Sequence, residues 1–396
     1  MKTIPVCDIA IVGAGPSGAL TAGLLARAGI SVNVLEARQR TERKVCGEYL
    51  CPAGSKLMRE LGLESILSTN FLPIYGMKLV SPGGKIVTTS FPLNGTCELP
   101  GFSLNRQIFD EQLVEWAKSM GAKFHFNTRV QKIHFDQGTW TLSLPGGQSL
   151  HSTLMIGADG RQSFVAKSLG LLCRQKEKRV ALHFFAKARQ TNQRQGEMHI
   201  LSGGSYLGVD PIDQHESNVS LVCDAQLLKK YKTPGMLARK LFQQSSEISQ
   251  HHELPERNLK VVTAFPITSK VKDVIATNAA LIGDAAGFID PLTGEGIYHG
   301  LWTAQALANE LIPSWQKDQR HFTLALANYK RARIKQFQSK QRVSIAFQWI
   351  IRRRWLCELI GSYLGRSTER GNVFIGIIGN LISPWAGFKK ILFTSA

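Results

Sequence analysis

A glycine-rich turn near residue 13 restricts the fold of this chain more than any other feature. The turn reads Gly13-Ala14-Gly15-Pro16-Ser17-Gly18. An apolar run, Asp8 to Val12, precedes it, and leucines at helical spacing follow it between Gly18 and Ala28. Gly29 then ends the helix, and Ile30 to Leu35 form a second apolar run. The order strand, glycine turn, helix, strand predicts a βαβ unit with parallel strands, and therefore an α/β fold of the Rossmann type.

The spacing of these glycines is typical of a dinucleotide site. The first glycine permits the tight turn, the second lets backbone N–H groups approach a pyrophosphate, and the third lets helix and strand pack closely. The helix N-terminus adds a partial positive charge. Glu36, followed by Ala37 and Arg38, closes the second strand, where its carboxylate would accept hydrogen bonds from ribose hydroxyls and disfavour a 2′-phosphate. We expect a bound dinucleotide, and either FAD or NAD satisfies these residues.

The composition is that of a folded protein with a large core. The chain has 396 residues, of which 43% are hydrophobic and 19% charged, and this length suits two interleaved domains plus a tail. Its seven cysteines show no CxxC spacing, so we predict free thiols in a reducing cytoplasm and no metal site. The first apolar run leads straight into the glycine turn, which does not resemble a signal peptide.

Positive charge is concentrated after Lys330. From that residue onward the chain has 13 basic and two acidic residues, and this segment supplies +11 of the total charge of +19. Phe347 to Leu356 interleaves aromatic residues with arginines, and no apolar stretch reaches the length of about 20 residues that crosses a bilayer. Two interpretations remain: helices lying on an anionic membrane surface, peripheral on its inner face, or helices that cover the substrate cavity or form a dimer face. No nucleic-acid module accompanies the charge.

Two later segments carry a family resemblance. They run from Ile156 to Ser163 and from Leu281 to Gly287. Together with the glycine turn and Arg106, they resemble the superfamily of FAD-dependent monooxygenases and reductases built on the p-hydroxybenzoate hydroxylase fold, over roughly residues 6 to 330. The resemblance implies FAD, bound non-covalently, as the dinucleotide.

The resemblance also implies roles for single residues. Asp284, with Gly283 before it, would hydrogen-bond the ribityl chain of FAD, and Asp159 and Gly160 match the motif between cofactor and substrate domains. The arginine would lie near the ribityl and phosphate part, and Val130 would meet adenine through its backbone. Alternatively, the two aspartates are helix N-caps and the arginine is a solvated surface residue.

The run from Gly287 to Tyr298 resembles the geranylgeranyl reductase branch of this superfamily. It reads Gly287-Phe288-Ile289-Asp290-Pro291-Leu292-Thr293-Gly294-Glu295-Gly296-Ile297-Tyr298. The resemblance implies that Gly294 and Gly296 bring backbone N–H groups to the pyrimidine end of the flavin, where they would stabilise negative charge. Further residues from this run complete the predicted site: Pro291 and Ile297 as cofactor contacts, and Thr293, Gly294 and Glu295 as catalytic residues.

A second match to the reductases runs from Arg43 to Glu48. It includes Cys46 and Gly47, which the resemblance places against the flavin. There the Cys46 thiol could donate a proton to a carbon that receives hydride. The alternative is a buried, inert cysteine.

The predicted substrate cavity departs from the reductase pattern. The segment of interest is Tyr206-Leu207-Gly208-Val209-Asp210-Pro211. Gly208 and Asp210 stand where the reductases carry tryptophan and phenylalanine, so we expect a wider and partly polar cavity lined by Tyr206, Gly208, Asp210 and Pro211. The signature of tryptophan halogenases is absent, although Lys78 lies on a segment where such enzymes place a lysine.

The patterns along the chain predict three parts. An FAD-binding domain would comprise residues 1–70, 101–174 and 269–330, a substrate domain with an antiparallel sheet residues 71–100 and 175–268, and a basic, apolar helical tail residues 331–396. The second domain makes the overall class α+β. Its sheet would include Val180 to Ala186, with a helix from Leu228 to Gln244 lying over it.

Three functions are compatible with these features. The first is a reductase that passes hydride from flavin N5 to an alkene or quinone-like lipophilic substrate. Its electron donor would be NAD(P)H or a partner flavoprotein, because no second glycine-rich βαβ unit is visible. The second is a monooxygenase acting through a flavin C4a-hydroperoxide, which would hydroxylate or epoxidise the substrate. The third is a non-catalytic, membrane-associated flavoprotein that senses redox state.

Overall fold

The computed structural model describes residues 6–39, 48–91, 99–173, 178–189, 194–288, 292, 294–316 and 322–393. Within this part of the chain the strands are β1 (Cys7–Val12), β2 (Val32–Leu35), β3 (Tyr49–Leu50), β4 (Leu72–Ile74), β5 (Gly76–Val80), β6 (Ile86–Ser90), β7 (Gly101–Ser103), β8 (Lys123–His125), β9 (Lys132–Asp136), β10 (Thr139–Ser143), β11 (Ser149–Gly157), β12 (Arg179–Ala188), β13 (Gln195–Ile200), β14 (Tyr206–Pro211), β15 (Glu216–Asp224), β16 (His252–Glu253), β17 (Val262–Ala264), β18 (Ile275–Ala276) and β19 (Ala279–Leu281). The helices are α1 (Pro16–Arg27), α2 (Pro52–Glu60), α3 (Glu64–Asn70), α4 (Arg106–Ser119), α5 (Phe164–Ser168), α6 (Pro234–Phe242), α7 (Ser246–His251), α8 (Gly296–Gln316), α9 (Thr323–Ile351), α10 (Arg354–Gly365), α11 (Thr368–Ile378) and α12 (Pro384–Phe393).

The first sheet contains the predicted βαβ unit. Its strands run in the order β18-β19-β11-β1-β2-β8, and β19, β11, β1, β2 and β8 are parallel. The side chains of β2 are all buried, as expected for a parallel sheet covered on both faces. Helices α1, α4 and α8 pack together on this sheet, and Gly29, at a φ of +84°, ends α1. The α/β prediction for this end of the chain is confirmed.

The second sheet has the order β16-β12-β15-β14-β13-β5-β6, with β17 added beside β12. Its neighbours are antiparallel except for β13 and β5, which run parallel. Helices α6 and α7 cover one face, where Phe184, Leu221 and Phe242 belong to a separate buried cluster. The other face looks toward the first sheet and the tail. A third, small antiparallel sheet has the order β3-β7-β4.

The single helix predicted over this sheet, from Leu228 to Gln244, was wrong in part. A 3-10 turn, residues Ala225–Lys230, ends before a break, and α6 begins at Pro234. Proline disfavours helical backbone in the residue before it, and Thr233 instead caps α6 by accepting a hydrogen bond from Met236 N.

Helices α9 to α12 form the basic, apolar tail. The 29 residues of α9 pack against α8, and α10, α11 and α12 pack against one another around Val373, Ile377 and Ile391. Two of these helices also contact β6 of the second sheet. Among the described residues, no helix combines the length and apolar character that crossing a bilayer requires. The division into two domains and a tail remains a prediction, with both predicted substrate-domain segments contributing strands to one sheet.

Candidate functional site

The glycine turn joins the end of β1 to the start of α1. Gly13 has a φ of +106°, and a Cβ atom there would lie 2.4 Å from the carbonyl oxygen of Ala158. Gly18 packs equally closely, since its Cβ would lie 2.0 Å from Gly13 O. Gly15 is the N-cap of α1, and no side chain caps this helix end. The first N–H groups of α1 therefore remain available to a phosphate, and Gly13, Gly15, Pro16 and Ser17 line a cavity of about 1240 Å³.

Glu36 braces the same turn. Its Oε2 accepts a hydrogen bond from Ala14 N at 2.9 Å, and its Oε1 accepts one from Arg38 N at 3.0 Å. Each carboxylate oxygen keeps a lone pair that a ribose hydroxyl could use. Glu36, Ala37, Arg38 and Val130 all line the cavity, so the structure brings together the residues predicted for the adenosine end.

Asp159 lies where β11 leads into α5. Its Oδ1 accepts from Ser163 Oγ at 2.5 Å and its Oδ2 from Val165 N at 3.0 Å. Burial raises the pKa of Asp159, and these two hydrogen bonds oppose the shift. The carboxylate thus supports the first turn of α5 from outside it, whereas the N-cap of this helix is Ser163 and not Asp159 as the alternative predicted. Asp159 and Gly160, whose φ is +80°, also line the cavity.

Asp284 occupies the 3-10 turn Gly283–Ala286 that follows β19. The residue is half-buried and lines the cavity, whereas Gly283 packs against Ser17 on α1. Burial raises the pKa of Asp284, and the nearby Arg161 and Arg106 guanidiniums lower it. A carboxylate flanked by cations suits a hydroxylated chain that extends from a pyrophosphate.

Arg106 is not a solvated surface arginine. It is the first residue of α4, and its guanidinium makes a bidentate pair with Asp110 at 2.8 and 3.0 Å. Its side chain is 11% exposed and reaches the cavity. The pairing fixes the guanidinium at the cavity wall, where its charge acts on Asp284.

The loop before α8 is divided between two environments. Gly294, with a φ of +66°, Gly296 and Ile297 line the large cavity, and a Cβ atom on Gly294 would lie 2.9 Å from the ring of Tyr49. Glu295 turns away from the cavity into a buried ion pair with Lys340 of α9, at 2.9 Å, and also accepts a hydrogen bond from Asn380. We therefore reassign Glu295 from a catalytic to a structural position.

Four predicted residues lie outside the described part of the chain, namely Cys46, Gly47, Pro291 and Thr293. The neighbouring Cys51 is described, and burial raises the pKa of its thiol to about 12. Such a thiol is protonated and inert at neutral pH. The proposed thiol proton donor therefore stays a prediction for Cys46 alone.

The other end of the cavity is an apolar chamber between the second sheet and the tail. Tyr206, Gly208 and Asp210 of β14 line it, whereas Pro211 does not. Space is open beside Gly208, where an added Cβ would meet its nearest atom only at 4.0 Å. Residues of β5, β13, α9, α10 and α11 complete the chamber, among them Met77, Met198, Ile351, Leu364 and Ile375.

The sequence left open whether the tail covers the cavity, and the structure places residues of α9, α10 and α11 in the cavity wall. Sequence reasoning missed other lining residues, including Glu48, Tyr49 and Arg161. Arg161 and Glu48 stand inside segments matched to the family, which is the signal that could have identified them. The positive φ of Glu48, +53°, has no signature in its residue type.

An uncapped helix behind a glycine turn, opening into a long cavity with an apolar far end, is the arrangement of an α/β protein that binds a dinucleotide. The sequence pattern of the family described as "FAD binding domain" matches residues 6–337, and the chain belongs to that family. It is accordingly an enzyme of the FAD-dependent oxidoreductase type.

Relatives of known name extend across most of the chain. Menaquinone reductase of Mycobacterium tuberculosis is 26% identical over 395 residues, covering 95% of this chain and 91% of the relative. Digeranylgeranylglycerophospholipid reductase 2 of Methanosphaera stadtmanae is 27% identical, covering 76% and 78%. Conditioned medium factor receptor 1 of Dictyostelium discoideum is 26% identical over 81% of this chain, which spans 66% of that receptor's length. The resemblance to the reductase branch is confirmed.

Solved structures share the fold. A flavoprotein/dehydrogenase from Cytophaga hutchinsonii superposes with a TM-score of 0.79 at 16% identity, covering 95% of this chain and 93% of the other. A probable FAD-dependent monooxygenase from Pseudomonas aeruginosa superposes with a TM-score of 0.75 at 20% identity, covering 89% and 99%. A protein described as a flavoprotein/dehydrogenase and one described as a probable monooxygenase therefore share this fold.

Proposed function

We propose that this protein reduces a lipophilic substrate by transferring hydride from FAD to an alkene or quinone-like double bond. The observation that carries the proposal is the continuous cavity, which has phosphate-binding and ribose-binding residues at one end and an apolar chamber at the other. When bound, FAD supplies the hydride through N5. The names of the menaquinone and digeranylgeranylglycerophospholipid reductases add support, since both name reduction of a prenylated lipid.

The chain's own residues would divide the work along this cavity. The first turn of α1 and Arg106 would hold the pyrophosphate, and Asp284 would orient the ribityl chain. Gly294 and Gly296 would let the backbone approach the flavin ring, because neither carries a side chain there. The tail residues Ile351 and Ile375 would exclude water from the chamber, which strengthens electrostatic interactions inside it.

A direct test uses the purified holoprotein under anaerobic conditions. After chemical reduction of the flavin, a menaquinone with a short prenyl chain is added and the product is analysed by mass spectrometry. Reduction adds two hydrogen atoms to the substrate, so the mass of the product exceeds that of the menaquinone by two hydrogens. A protein that neither contains FAD nor takes it up would overturn the proposal, as would a product of unchanged mass.

A monooxygenase reaction is the second candidate, and the Asp210 carboxyl in the chamber wall, near the open space at Gly208, favours it. The same preparation mixed with isotopically labelled O₂ distinguishes the two. Incorporation of the labelled oxygen into the product supports oxygenation, whereas a product with two added hydrogens and no label supports reduction. The apolar chamber argues against a purely sensory flavoprotein, because such a protein needs no substrate cavity.

The electron donor is proposed to be NAD(P)H, binding transiently, or a partner flavoprotein. The described residues hold one glycine-rich βαβ unit, which we assign to FAD. Stopped-flow mixing with NADH and NADPH tests the first option. Reduction of the flavin by neither nucleotide would favour the partner flavoprotein.

We also infer that the tail docks on an anionic bilayer at the cytoplasmic face. Helix α12 exposes Trp385, Phe388 and Leu392 at positions i, i+3 and i+7, which places them on one face of the helix. Trp385 is 73% exposed and Leu392 71%. Lys389 and Lys390 flank this face, and residues 384–393 include no acidic residue. Exposed aromatic residues beside lysines fit the headgroup region of an anionic membrane.

Vesicle sedimentation tests the docking. The holoprotein should sediment with vesicles of phosphatidylglycerol and phosphatidylcholine, and less so at high salt, because surface charges are then screened. The triple variant Trp385→Ala, Phe388→Ala, Leu392→Ala should lose most of this binding. A control variant, Ile108→Ala with Met236→Ala, removes exposed apolar residues outside the tail and should bind like the unchanged protein. Equal binding by the two variants would remove the membrane proposal.

A further inference from the structure

Asp210 is a buried acidic residue of the chamber wall. It lies on β14 and is 7% exposed. Side chains alternate along a strand, so it shares the cavity face with Gly208 and Tyr206. Within the part of the chain that the structure describes, its Oδ1 has no hydrogen-bond partner. A buried, unpartnered polar atom that faces a cavity is suited to a ligand.

Among the described residues of the two neighbouring strands, no basic side chain faces the Asp210 carboxyl. A Cβ atom on Gly196 of β13 would lie 2.9 Å from Asp210 Oδ1, so the carboxyl packs over the glycine backbone. Across the other neighbour, β15, the paired residue is the neutral Asn218. Glu197 is directly opposite Val209, and its side chain therefore points to the other face, where it pairs with Lys78 at 3.5 Å.

The titratable groups that act on Asp210 are themselves acidic. Glu48 and Tyr49, at β3, interact electrostatically with Asp210, and so does Glu197 of β13. His183 and Ser220 share the same sheet face two and one strands away, and they hydrogen-bond to each other at 2.9 Å. Burial first, and then Glu48 and Glu197, raise the pKa of Asp210 to about 8. The group is thus largely protonated at neutral pH, when it can donate a hydrogen bond or a proton.

Asp210 also lies at the junction of the two ends of the cavity. Glu48, Tyr49 and Gly294 line the cofactor side, and the Tyr49 ring packs closely on Gly294. Met198 and Ile200 line the chamber side on the neighbouring strand. A substrate in the chamber with its reacting end toward Gly294 would pass this carboxyl.

We propose that Asp210 is the acid that protonates the substrate during its reduction, an inference that rests on the proposed function. One atom of the double bond receives hydride from reduced FAD and forms a new bond to hydrogen. The π electron pair then moves to the second atom, which takes the proton from the Asp210 carboxyl. Oxidised FAD, the reduced substrate and the Asp210 carboxylate result, and a proton from solvent restores the acid. Each cycle consumes one hydride and one proton.

Two acceptors separate proton delivery from electron transfer. The pre-reduced holoprotein is mixed anaerobically with 2-methyl-1,4-naphthoquinone, which needs a proton, or with ferricyanide, which accepts electrons alone. Flavin reoxidation is followed by stopped-flow absorbance. For Asp210→Asn we expect the quinone reaction to slow by about 100-fold at neutral pH, the usual range for losing a general acid. The ferricyanide reaction should stay unchanged.

The pH profile gives a second readout. The quinone rate of the unchanged protein should fall as pH rises through about 8, where the acid loses its proton, and the Asp210→Asn profile should lack this step. Asp210→Glu should recover part of the rate. Asp136→Asn, which alters an exposed carboxylate on β9, is the matched control and should behave like the unchanged protein.

The outcomes distinguish this inference from the proposed function. If the unchanged protein reduces the quinone and Asp210→Asn reduces it equally fast, only the role of Asp210 is overturned. Equal slowing with both acceptors would indicate a structural effect and also overturn it. If the unchanged protein binds FAD and reacts with ferricyanide but reduces no quinone, the proposed function fails first. Loss of the quinone rate in Cys46→Ala but not in Asp210→Asn would assign the proton to the thiol instead.

Discussion

Single residues fix the cofactor end of the cavity through backbone packing. At Gly13 the left-handed φ and the nearness of the Ala158 carbonyl both exclude a side chain. Glu36 then ties the backbone of the turn to the end of β2. These neighbours fix the conformation of the turn. We therefore expect the affinity for FAD to depend on the absence of a side chain at Gly13.

Gly13→Ala should weaken FAD binding by at least roughly tenfold. The added Cβ would clash with Ala158 O, and the left-handed φ alone costs a residue with a side chain about 1–2 kcal/mol. Fluorescence titration of the apoprotein with FAD measures the change. Gly365→Ala is the control, because its Cβ would meet its nearest atom, on Val87, at 3.8 Å. An unchanged affinity in Gly13→Ala would contradict the packing argument.

Asp210 should make stability depend on pH. An aspartate in the unfolded chain loses its proton near pH 4, whereas the folded protein keeps this one to about pH 8. Between these values the folded state binds the extra proton, so the contribution of this group to stability falls as pH rises.

Asp210→Asn removes that dependence. Its melting temperature should match the unchanged protein near pH 4 and exceed it by on the order of a few degrees near pH 8, as differential scanning calorimetry would show. A difference between the two proteins that stayed constant across this range would mean that Asp210 titrates normally.

At the scale of elements, one buried lysine joins three parts of the fold. Lys340 of α9 is 8% exposed, pairs with Glu295 before α8, and donates to the carbonyl oxygens of Ile377 and Ile378 at the end of α11. A buried ion pair is weak evidence for net stability. Loss of one partner is nevertheless strongly destabilising, because it leaves the other charge buried and unpaired. This contact holds the tail against the loop that carries Gly294.

Lys340→Ala should lower the free energy of unfolding by about 3–5 kcal/mol, because it leaves the Glu295 carboxylate buried without its counter-charge. Urea denaturation measures the loss. Lys335→Ala removes an exposed lysine from the same helix and should change stability by less than about 0.5 kcal/mol. Similar midpoints for the two variants would show that Glu295 finds another partner.

What the sequence predicted well was local. The βαβ unit follows from fully buried apolar runs and from glycine chemistry within about thirty residues, and the family motifs located Asp159, Asp284 and Arg106. The break before Pro234 was readable but was overlooked. The chamber wall was not predictable, since Ile351 and Ile375 reach it only because α9 and α11 pack across the second sheet. The turn of Glu295 away from the cavity likewise depends on Lys340, a distant residue.

At the scale of the whole molecule, FAD should stabilise the folded chain. Its predicted contacts come from β1, β2, β11, α4 and the turn after β19, and they exist together only when the fold is formed. A ligand present at 100 times its Kd adds about 2.7 kcal/mol to the free energy of unfolding. Thermal unfolding of the apoprotein with increasing FAD should show a rising midpoint. NADP⁺ at the same concentrations should raise it less, since Glu36 disfavours a 2′-phosphate.

The chamber wall has a consequence for how the protein is made. Most of its lining comes from residues before 300, but α9 to α11 supply the side that closes it. A ribosome releases those helices after every other part of the wall, so the nascent chain passes through a stage in which the apolar face of β13 and β14 is formed and uncovered. We expect that stage to be the one most prone to aggregation and to binding by chaperones.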